Sequence, residues 1–280
     1  MKRSSDVVII GGGCMGASVA YHLARRGVTD VVLVERENML ATGSTGRNAG
    51  GVRHQFSNDA NIRLSIESIG LLERFADEVG QPIDFHQDGY LFLLSSPSSV
   101  DTFRRNVALQ RSLGVDVEWL DRDGAARLVP AMDVSGVLGA TFCRRDGIAD
   151  PSGVTMGFAK AAQTLGVAIE RGVEVTAILV ESGRVTGVET THGRIETRRI
   201  VNAAGPWARR VGAMAGADVP VDPIRRHIFI AARGSGQSPP FPSSHIMVID
   251  FETTFYFHRE GAGLLFGMGE SFRVQLLRKQ

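Results

Sequence analysis

DVVIIGGGCMGASVAYHLARRGVTDVVLVE, residues 6–35, is the segment that decides the fold of this chain. Val7–Ile10 and Val31–Val34 are continuously apolar, as strands of a parallel sheet covered on both faces are. Between them, apolar side chains recur at helical spacing, at Met15, Val19, Ala20 and Leu23. Gly27 then supplies a helix stop. The segment therefore predicts two parallel strands joined through a helix by a right-handed crossover.

The turn between the first strand and the helix, Gly11–Gly16, has the spacing GxGxxG. In such a turn Gly11 permits the tight bend, Gly13 lets the backbone approach a pyrophosphate, and Gly16 allows close helix packing. The N-terminus of the helix favours anionic phosphates. The turn thus predicts a dinucleotide-binding site, and the alternative is a glycine-rich turn that binds no ligand.

Glu35 ends the second predicted strand, 19 residues after Gly16. An acid at this position can accept hydrogen bonds from the ribose hydroxyls of adenosine. A 2′-phosphate would be repelled by the carboxylate, so Glu35 argues against NADP. These residues alone do not distinguish NAD from FAD as the cofactor.

The composition is that of an ordinary globular protein of about two domains. Hydrophobic residues make up 43% of the 280 residues, and 31 basic against 30 acidic residues leave a net charge of +1, which gives no field to attract nucleic acid. Cys14 and Cys143 cannot form a disulfide framework and have no metal-ligand spacing. The sequence lacks a long apolar run. We therefore expect a soluble, cytoplasmic protein with no metal, no nucleic-acid partner and no transmembrane segment.

Periodicity and turn signals predict the remaining elements. Before residue 150 they are a helix over 59–79, a hairpin with its turn at Asp88-Gly89, a helix over 99–113 and a strand over 137–143. After it they are a helix over 151–165, a strand over 167–170, a three-stranded meander broken at 182–183 and 192–193, and strands at 200–205, 226–232 and 254–258. A loop is predicted over 233–244.

The stretch from Ala41 to Arg53 consists mainly of small residues, where a nicotinamide dehydrogenase would continue with further βα units. Together with later motifs, this order resembles the flavoprotein fold of the D-amino-acid oxidase superfamily, in particular sarcosine oxidase beta subunits, dimethylglycine dehydrogenase and glycine oxidase. The resemblance is carried by the glycine turn, Glu35, the 41–53 loop, residues 146–151 (DGIADP) and residues 202–207 (NAAGPW).

This resemblance implies an α/β fold with a Rossmann-type, glutathione reductase-like FAD-binding domain and an α+β substrate domain built on a mixed or antiparallel sheet. The implied FAD domain is discontinuous, over 1–85 and 150–215, and the implied substrate domain covers 86–149 and 216–280. The implied FAD contacts are Gly11, Gly13, Cys14, Met15, Gly16, Glu35, Arg36, Ser44, Thr45, Arg47, Asn48, Ala49, Gly50, Gly51, Val175, Ala204, Gly205 and Trp207. Arg47 lies where dimethylglycine dehydrogenase-like sequences carry the histidine that attaches flavin covalently, so we expect noncovalent FAD.

Four residues are candidates for contact with a substrate. Arg53 falls where several relatives place an arginine over the flavin, and an arginine can pair a substrate carboxylate bidentately. Its alternative is a surface arginine in a glycine loop. His54 is either a second cavity residue or a loop histidine bonded to backbone. Strand alternation puts Tyr256 and His258 on one face, so this pair can face the flavin.

The resemblance implies FAD-dependent oxidation of a small amino acid or N-methylated amine, such as sarcosine, dimethylglycine or proline, by hydride transfer to flavin N5. Dioxygen or an electron carrier would reoxidise the flavin, and a partner subunit is possible. One alternative is an FAD dehydrogenase of a hydroxy acid, an opine or glycerol 3-phosphate. Another is a truncated FAD-binding chain without turnover, because family members continue past Leu264–Gly267 with a glycine-rich flavin-contacting segment that we expect to be missing here.

Overall fold

The computed structural model describes residues 2–130, 132–232 and 242–269. The helices are α1 Cys14–Arg25, α2 Asp59–Glu73, α3 Phe75–Val79, α4 Pro97–Ser112, α5 Arg122–Leu128, α6 Pro151–Thr164 and α7 Ala208–Met214. The strands are β1 Val7–Ile10, β2 Val31–Glu35, β3 Gly51–Val52, β4 Phe85–His86, β5 Tyr90–Leu94, β6 Glu118–Leu120, β7 Gly139–Cys143, β8 Gly147–Ala149, β9 Ala168–Arg171, β10 Val175–Glu181, β11 Arg184–Thr190, β12 Gly193–Glu196, β13 Ile200–Asn202, β14 Ile228–Ala231, β15 Met247–Asp250, β16 Phe255–Glu260 and β17 Gly263–Met268.

The described residues group into two compact units. Unit 1 takes its residues from 1–48, 75–84 and 150–224, and unit 2 from 49–74, 85–149 and 225–280. The predicted FAD domain includes residues 49–74, but this segment packs within unit 2. Its strand β3 pairs with β8, and Ile62 of α2 is buried in a cluster with Val107 of α4. The assignment of one unit to FAD and the other to substrate stays a prediction.

Unit 1 is built on a parallel four-stranded sheet in the order β13-β1-β2-β9. The apolar run of β1 is buried, and Ile9 pairs with Leu33 of β2 and Val201 of β13. A second sheet of β10, β11 and β12 forms the predicted antiparallel meander. The Rossmann-type α/β architecture predicted from residues 6–35 is confirmed.

Helix α1 buries a face that is rotated from the one its apolar spacing indicated, with Ala20 common to both. Met15 is 70% exposed, whereas Ala17, Ala20, Tyr21 and Ala24 are buried. The Tyr21 ring packs against Phe158 of α6 with centroids 5.4 Å apart. Small side chains on this face let the helices approach closely, and the burial of small residues is not visible in a count of large apolar side chains.

Unit 2 is built on a mixed seven-stranded sheet in the order β14-β17-β16-β15-β5-β7-β6, in which only the β15–β5 pair is parallel among the described strands. A small sheet holds β3, β8 and β4. The predicted mixed-sheet α+β class is therefore confirmed for this part of the chain. Within the described ranges, no helix combines the length and the apolar character needed to cross a membrane.

The hairpin predicted at Asp88-Gly89 is wrong. β4 pairs with β8 in the small sheet, and β5 pairs with β7 and β15 in the large one. The turn is bonded to other parts of unit 2, because the Gly89 N–H donates to the Asp146 carbonyl and the Gly89 carbonyl accepts from Met247. Asp88 accepts a hydrogen bond from the backbone N–H of His245. These long-range bonds separate the two strands.

The predicted helix over 59–79 is also interrupted. It consists of α2 and α3, with Arg74 between them at φ −108° and ψ 17°. Ile62 packs in unit 2, while the Phe75 ring packs against Phe158 in unit 1, 4.9 Å between centroids. The apolar spacing continues through the break, so periodicity alone gives no sign of it.

The cap of α6 offers a test of local stability in unit 1. Asp150 accepts hydrogen bonds from the N–H groups of Ser152 (3.0 Å) and Gly153 (2.8 Å). Asp150→Ala removes both acceptors, so we expect the free energy of unfolding to fall by about 1 kcal/mol in urea denaturation. Asp150→Asn is the matched control, since asparagine caps helices about as well. Equal stability of the alanine and asparagine variants would contradict the prediction.

Candidate functional site

A cavity of about 470 Å³ opens at the carboxyl edge of the parallel sheet in unit 1. The chain leaves β1 towards β2 on one side, and β13 pairs with β1 on the other side, so β1 stands where the strand order reverses. Ligands of such sheets bind at this switch point. The lining includes residues from the ends of β1, β2 and β13, among them Ile10, Val34 and Ala203.

The glycine turn forms one wall of this cavity and is closely packed on its other side. Gly11 has φ +115°, and a Cβ at Gly11 would collide with the carbonyl of Ala203. A Cβ at Gly16 would collide with the carbonyl of Gly11. A Cβ at Gly13 would lie 2.9 Å from Thr45 Oγ1. Glycine is therefore required at Gly11 and Gly16 by the fold, and at Gly13 by the close approach of the 41–53 loop.

Glu35 joins the glycine turn to the end of β2. Its Oε2 accepts a hydrogen bond from the Gly12 N–H at 2.7 Å, and its Oε1 accepts one from the Glu37 N–H at 2.9 Å. A carboxylate has about four acceptor sites, so two donors leave capacity for hydroxyl groups. The carboxylate lines the cavity and can accept further donors from it.

Two loop contacts complete the cavity. Thr45 Oγ1 accepts a hydrogen bond from the Cys14 N–H at 3.1 Å, which holds the loop against the first turn of α1. Arg36 and Trp207 also line the cavity, and the Arg36 guanidinium lies 3.9 Å from the centroid of the Trp207 ring. This stack gives the cavity a planar, cationic surface of the kind that suits a purine ring.

Most of the predicted FAD contacts line this cavity. They are Gly11, Gly13, Cys14, Met15, Glu35, Arg36, Ser44, Thr45, Arg47, Val175, Ala204, Gly205 and Trp207. Gly16 instead packs beneath the turn, and the Asn48 side chain donates to the carbonyl of Ser44 and so braces the loop. Ala49, Gly50 and Gly51 belong to unit 2.

Sequence reasoning missed several lining residues, including Glu174, Arg210 and Met214. Glu174 immediately precedes β10, and the other two lie on α7. They come late in the chain and carry no motif of their own. The available signal is topological, because any residue that follows a parallel strand at its carboxyl end reaches the same edge.

Arg53 lies in unit 2 with its guanidinium over two aromatic rings, 4.8 Å from the Phe56 centroid and 5.3 Å from that of Phe92. Its Nε is buried and has no hydrogen-bond acceptor among the described residues. A buried donor without a partner is costly, so this atom favours a ligand that brings an acceptor, and an anionic acceptor would also pair with the charge of Arg53. Arg53 is therefore not a freely solvated surface arginine.

Two tyrosines of unit 2 lie in the same apolar cluster as Phe92. Tyr90 is buried, and Tyr256 packs against the cluster from β16. Burial raises the pKa of Tyr90, with the positive charge of Arg53 acting in the opposite direction. Burial also raises the pKa of Tyr256. Both hydroxyls therefore remain protonated at neutral pH and can act as hydrogen-bond donors.

The two predicted histidines are buried in different surroundings. His54 Nδ1 lies 2.7 Å from Asp146 Oδ1, so His54 is bonded to a carboxylate, whereas the sequence offered a cavity position or a backbone bond. His258 has no exposed surface, and its Nδ1 bonds the carbonyl of Arg259 at 2.7 Å. Burial lowers the pKa of His258, which favours the neutral ring. Asp146, the partner of His54, was predicted only as part of the 146–151 motif and not as a partner of a candidate residue.

Comparison with known proteins shows what the chain is similar to. The DAO family, described as FAD dependent oxidoreductase, matches residues 6–278. Mitochondrial dimethylglycine dehydrogenase of Rattus norvegicus is 35% identical over 96% of this chain, and sarcosine oxidase subunit beta of Arthrobacter sp is 33% identical over 79% of it. The chain spans 31% of the length of the first protein and 56% of the second.

A solved structure, the L-proline dehydrogenase from P. horikoshii, superposes with a TM-score of 0.85 and 33% sequence identity. The match covers 96% of this chain and 71% of that protein. The match to the family extends from the first strand of unit 1 to beyond the last described strand of unit 2. On this evidence the chain belongs to the DAO family of FAD-dependent oxidoreductases.

Proposed function

We propose that unit 1 binds FAD noncovalently through its adenosine diphosphate part. Gly11 and Gly13 line the cavity at the start of α1 and present backbone without side chains, which fits a pyrophosphate. Glu35 has acceptor capacity for the ribose hydroxyls, and the Arg36–Trp207 stack suits the adenine. Arg47 lines the same cavity and cannot form the covalent flavin link that a histidine forms.

We further propose that the protein oxidises a small amino acid with a secondary or tertiary amine. The observation that carries its carboxylate part is the buried Nε of Arg53, which has no acceptor among the described residues and whose guanidinium lies near two aromatic rings. A substrate carboxylate would supply the missing acceptor and pair with the charge of Arg53. The related dimethylglycine dehydrogenase, sarcosine oxidase subunit and L-proline dehydrogenase are named for substrates that carry both a carboxylate and such an amine.

FAD and the side chains of unit 2 have separate roles in the proposed oxidation. When bound, FAD supplies the two-electron acceptor for oxidation of the C–H bond beside the substrate nitrogen. Arg53 holds the carboxylate, and the phenols of Tyr90 and Tyr256 remain protonated at neutral pH. The rings of Phe56 and Phe92 lie near the guanidinium, and such apolar surroundings strengthen its pairing with a carboxylate. The substrate nitrogen must be neutral to give up these electrons.

A partner subunit and the electron acceptor are further parts of this proposal. The relation to a sarcosine oxidase beta subunit supports a partner subunit, and dioxygen or an electron carrier would reoxidise the flavin. Cytoplasmic location also remains a prediction.

The purified chain should show the visible absorption of oxidised flavin, and anaerobic sarcosine, dimethylglycine or proline should bleach it. Denaturation should release all the flavin, since Arg47 cannot retain it. Glycerol 3-phosphate and a 2-hydroxy acid serve as controls for the alternative substrate class. Bleaching by these controls alone would contradict the amine proposal, and flavin that stays on the denatured chain would contradict noncovalent binding.

Arg53→Met should raise KM for the bleaching amine by about 100-fold, because a charge-assisted hydrogen-bonded pair contributes about 3 kcal/mol. Steady-state kinetics with FAD content held equal gives the measurement. Arg104→Met is the matched control, since Arg104 also lies over an aromatic ring of unit 2, 4.3 Å from the Trp119 centroid, but is exposed. An unchanged KM in Arg53→Met would contradict the proposed binding of the substrate carboxylate by Arg53.

A further inference from the structure

Asp146 is a fully buried carboxylate in the turn between β7 and β8 of unit 2. Its Oδ1 accepts a hydrogen bond from the His54 backbone N–H at 2.7 Å and lies 2.7 Å from His54 Nδ1. Its Oδ2 accepts one from Gln55 Nε2 at 3.1 Å. A buried carboxylate persists only when its oxygens are satisfied, and here all these donors come from the two residues after Arg53.

Gln55 extends this network to the large sheet. Its Nε2 also donates to the Tyr90 carbonyl of β5 at 3.1 Å, and its Oε1 accepts from Thr141 Oγ1 of β7 at 2.7 Å. Gln55 and Thr141 are both buried. The amide nitrogen of Gln55 thus has two acceptors and the amide oxygen has one donor. These three bonds fix the orientation of the side chain.

Arg53 is held on both sides by these and neighbouring bonds. Before it, Val52 of β3 pairs with Gly147 of β8, the residue next to Asp146. After it, the carbonyl of Phe56 accepts a hydrogen bond from Gln110 Nε2 of α4 at 2.8 Å. The backbone from 52 to 56 is therefore tied on both sides of Arg53, which fixes the base of a side chain whose guanidinium lies over Phe56 and Phe92.

A metal site is an alternative role for the same region, because ligand atoms of His54, Cys143 and Asp146 lie within 4.8 Å of one another. The contacts of the carboxylate favour the hydrogen-bond network instead. Both Asp146 oxygens already accept hydrogen bonds, Oδ1 from the His54 N–H and Oδ2 from Gln55 Nε2.

We propose that Asp146 is a positioning residue that orients Arg53 through His54 and Gln55. The inference deepens the proposed function and rests on it, since Arg53 is there assigned to the substrate carboxylate. A guanidinium fixed before binding loses less freedom when the carboxylate arrives, so the network acts on substrate affinity. It acts within unit 2 and leaves the FAD cavity of unit 1 unaltered.

Asp146→Asn tests this directly, because one oxygen becomes an NH₂ group that faces a donor of His54 or Gln55. We expect KM for the bleaching amine to rise about 10-fold or more while kcat and FAD content change little, the pattern of lost uniform binding. Hydrogen exchange of backbone amides 52–56, measured by mass spectrometry, should become faster. Asp121→Asn is the matched control, an aspartate of unit 2 that caps α5 and that asparagine can replace.

Thr141→Val keeps the inference testable if Asp146→Asn does not fold. It removes only the hydroxyl that donates to Gln55, so the same changes in KM and exchange should follow with smaller size. Unchanged KM in a folded Asp146→Asn variant would overturn the inference, and so would faster exchange without a change in KM, which is a purely structural effect. If Arg53→Met also leaves KM unchanged, the fault lies in the proposed role of Arg53 itself.

Discussion

The hydrogen bond from the Gly12 N–H to Glu35 Oε2, 2.7 Å long, holds together the part of unit 1 on which the cavity depends. It joins the turn after β1 to the end of β2 at the edge where the parallel strands finish. The turn can lie there only because Gly11 adopts a positive φ and Gly16 has no side chain to strike the Gly11 carbonyl. A charge-assisted bond at this point fixes the turn before any ligand arrives.

Each unit contributes one kind of chemistry. Unit 1 offers backbone N–H groups, a carboxylate and a cation–π stack around one cavity, and these suit a dinucleotide. Unit 2 offers the half-buried Arg53, whose Nε is buried and whose neighbours are aromatic or tied into an internal hydrogen-bond network. The family is FAD-dependent, and the substrate proposed for Arg53 brings an anionic group of its own.

The sequence predicts unit 1 well, because its decisive parts are local. Strand, turn, helix and strand follow one another within residues 6–35, and the glycine spacing has one physical explanation. Predictions failed where partners are distant. The hairpin at Asp88-Gly89 is prevented by bonds to Asp146 and Met247, and the partners of Asp146 lie 91 and 92 residues before it in the chain. Neither set of long-range hydrogen bonds produces a periodic pattern or a motif in the sequence.

The most direct test of the account is a fluorescence titration of the flavin-free chain with FAD, repeated in the presence of ADP and of FMN. Since the turn, Glu35 and the Arg36–Trp207 stack are assigned to the adenosine diphosphate part, ADP should compete with FAD. FMN, which has no adenosine, should compete much less. Binding of FAD that ADP leaves unchanged, or FMN binding as tight as that of FAD, would contradict the assignment of the cavity.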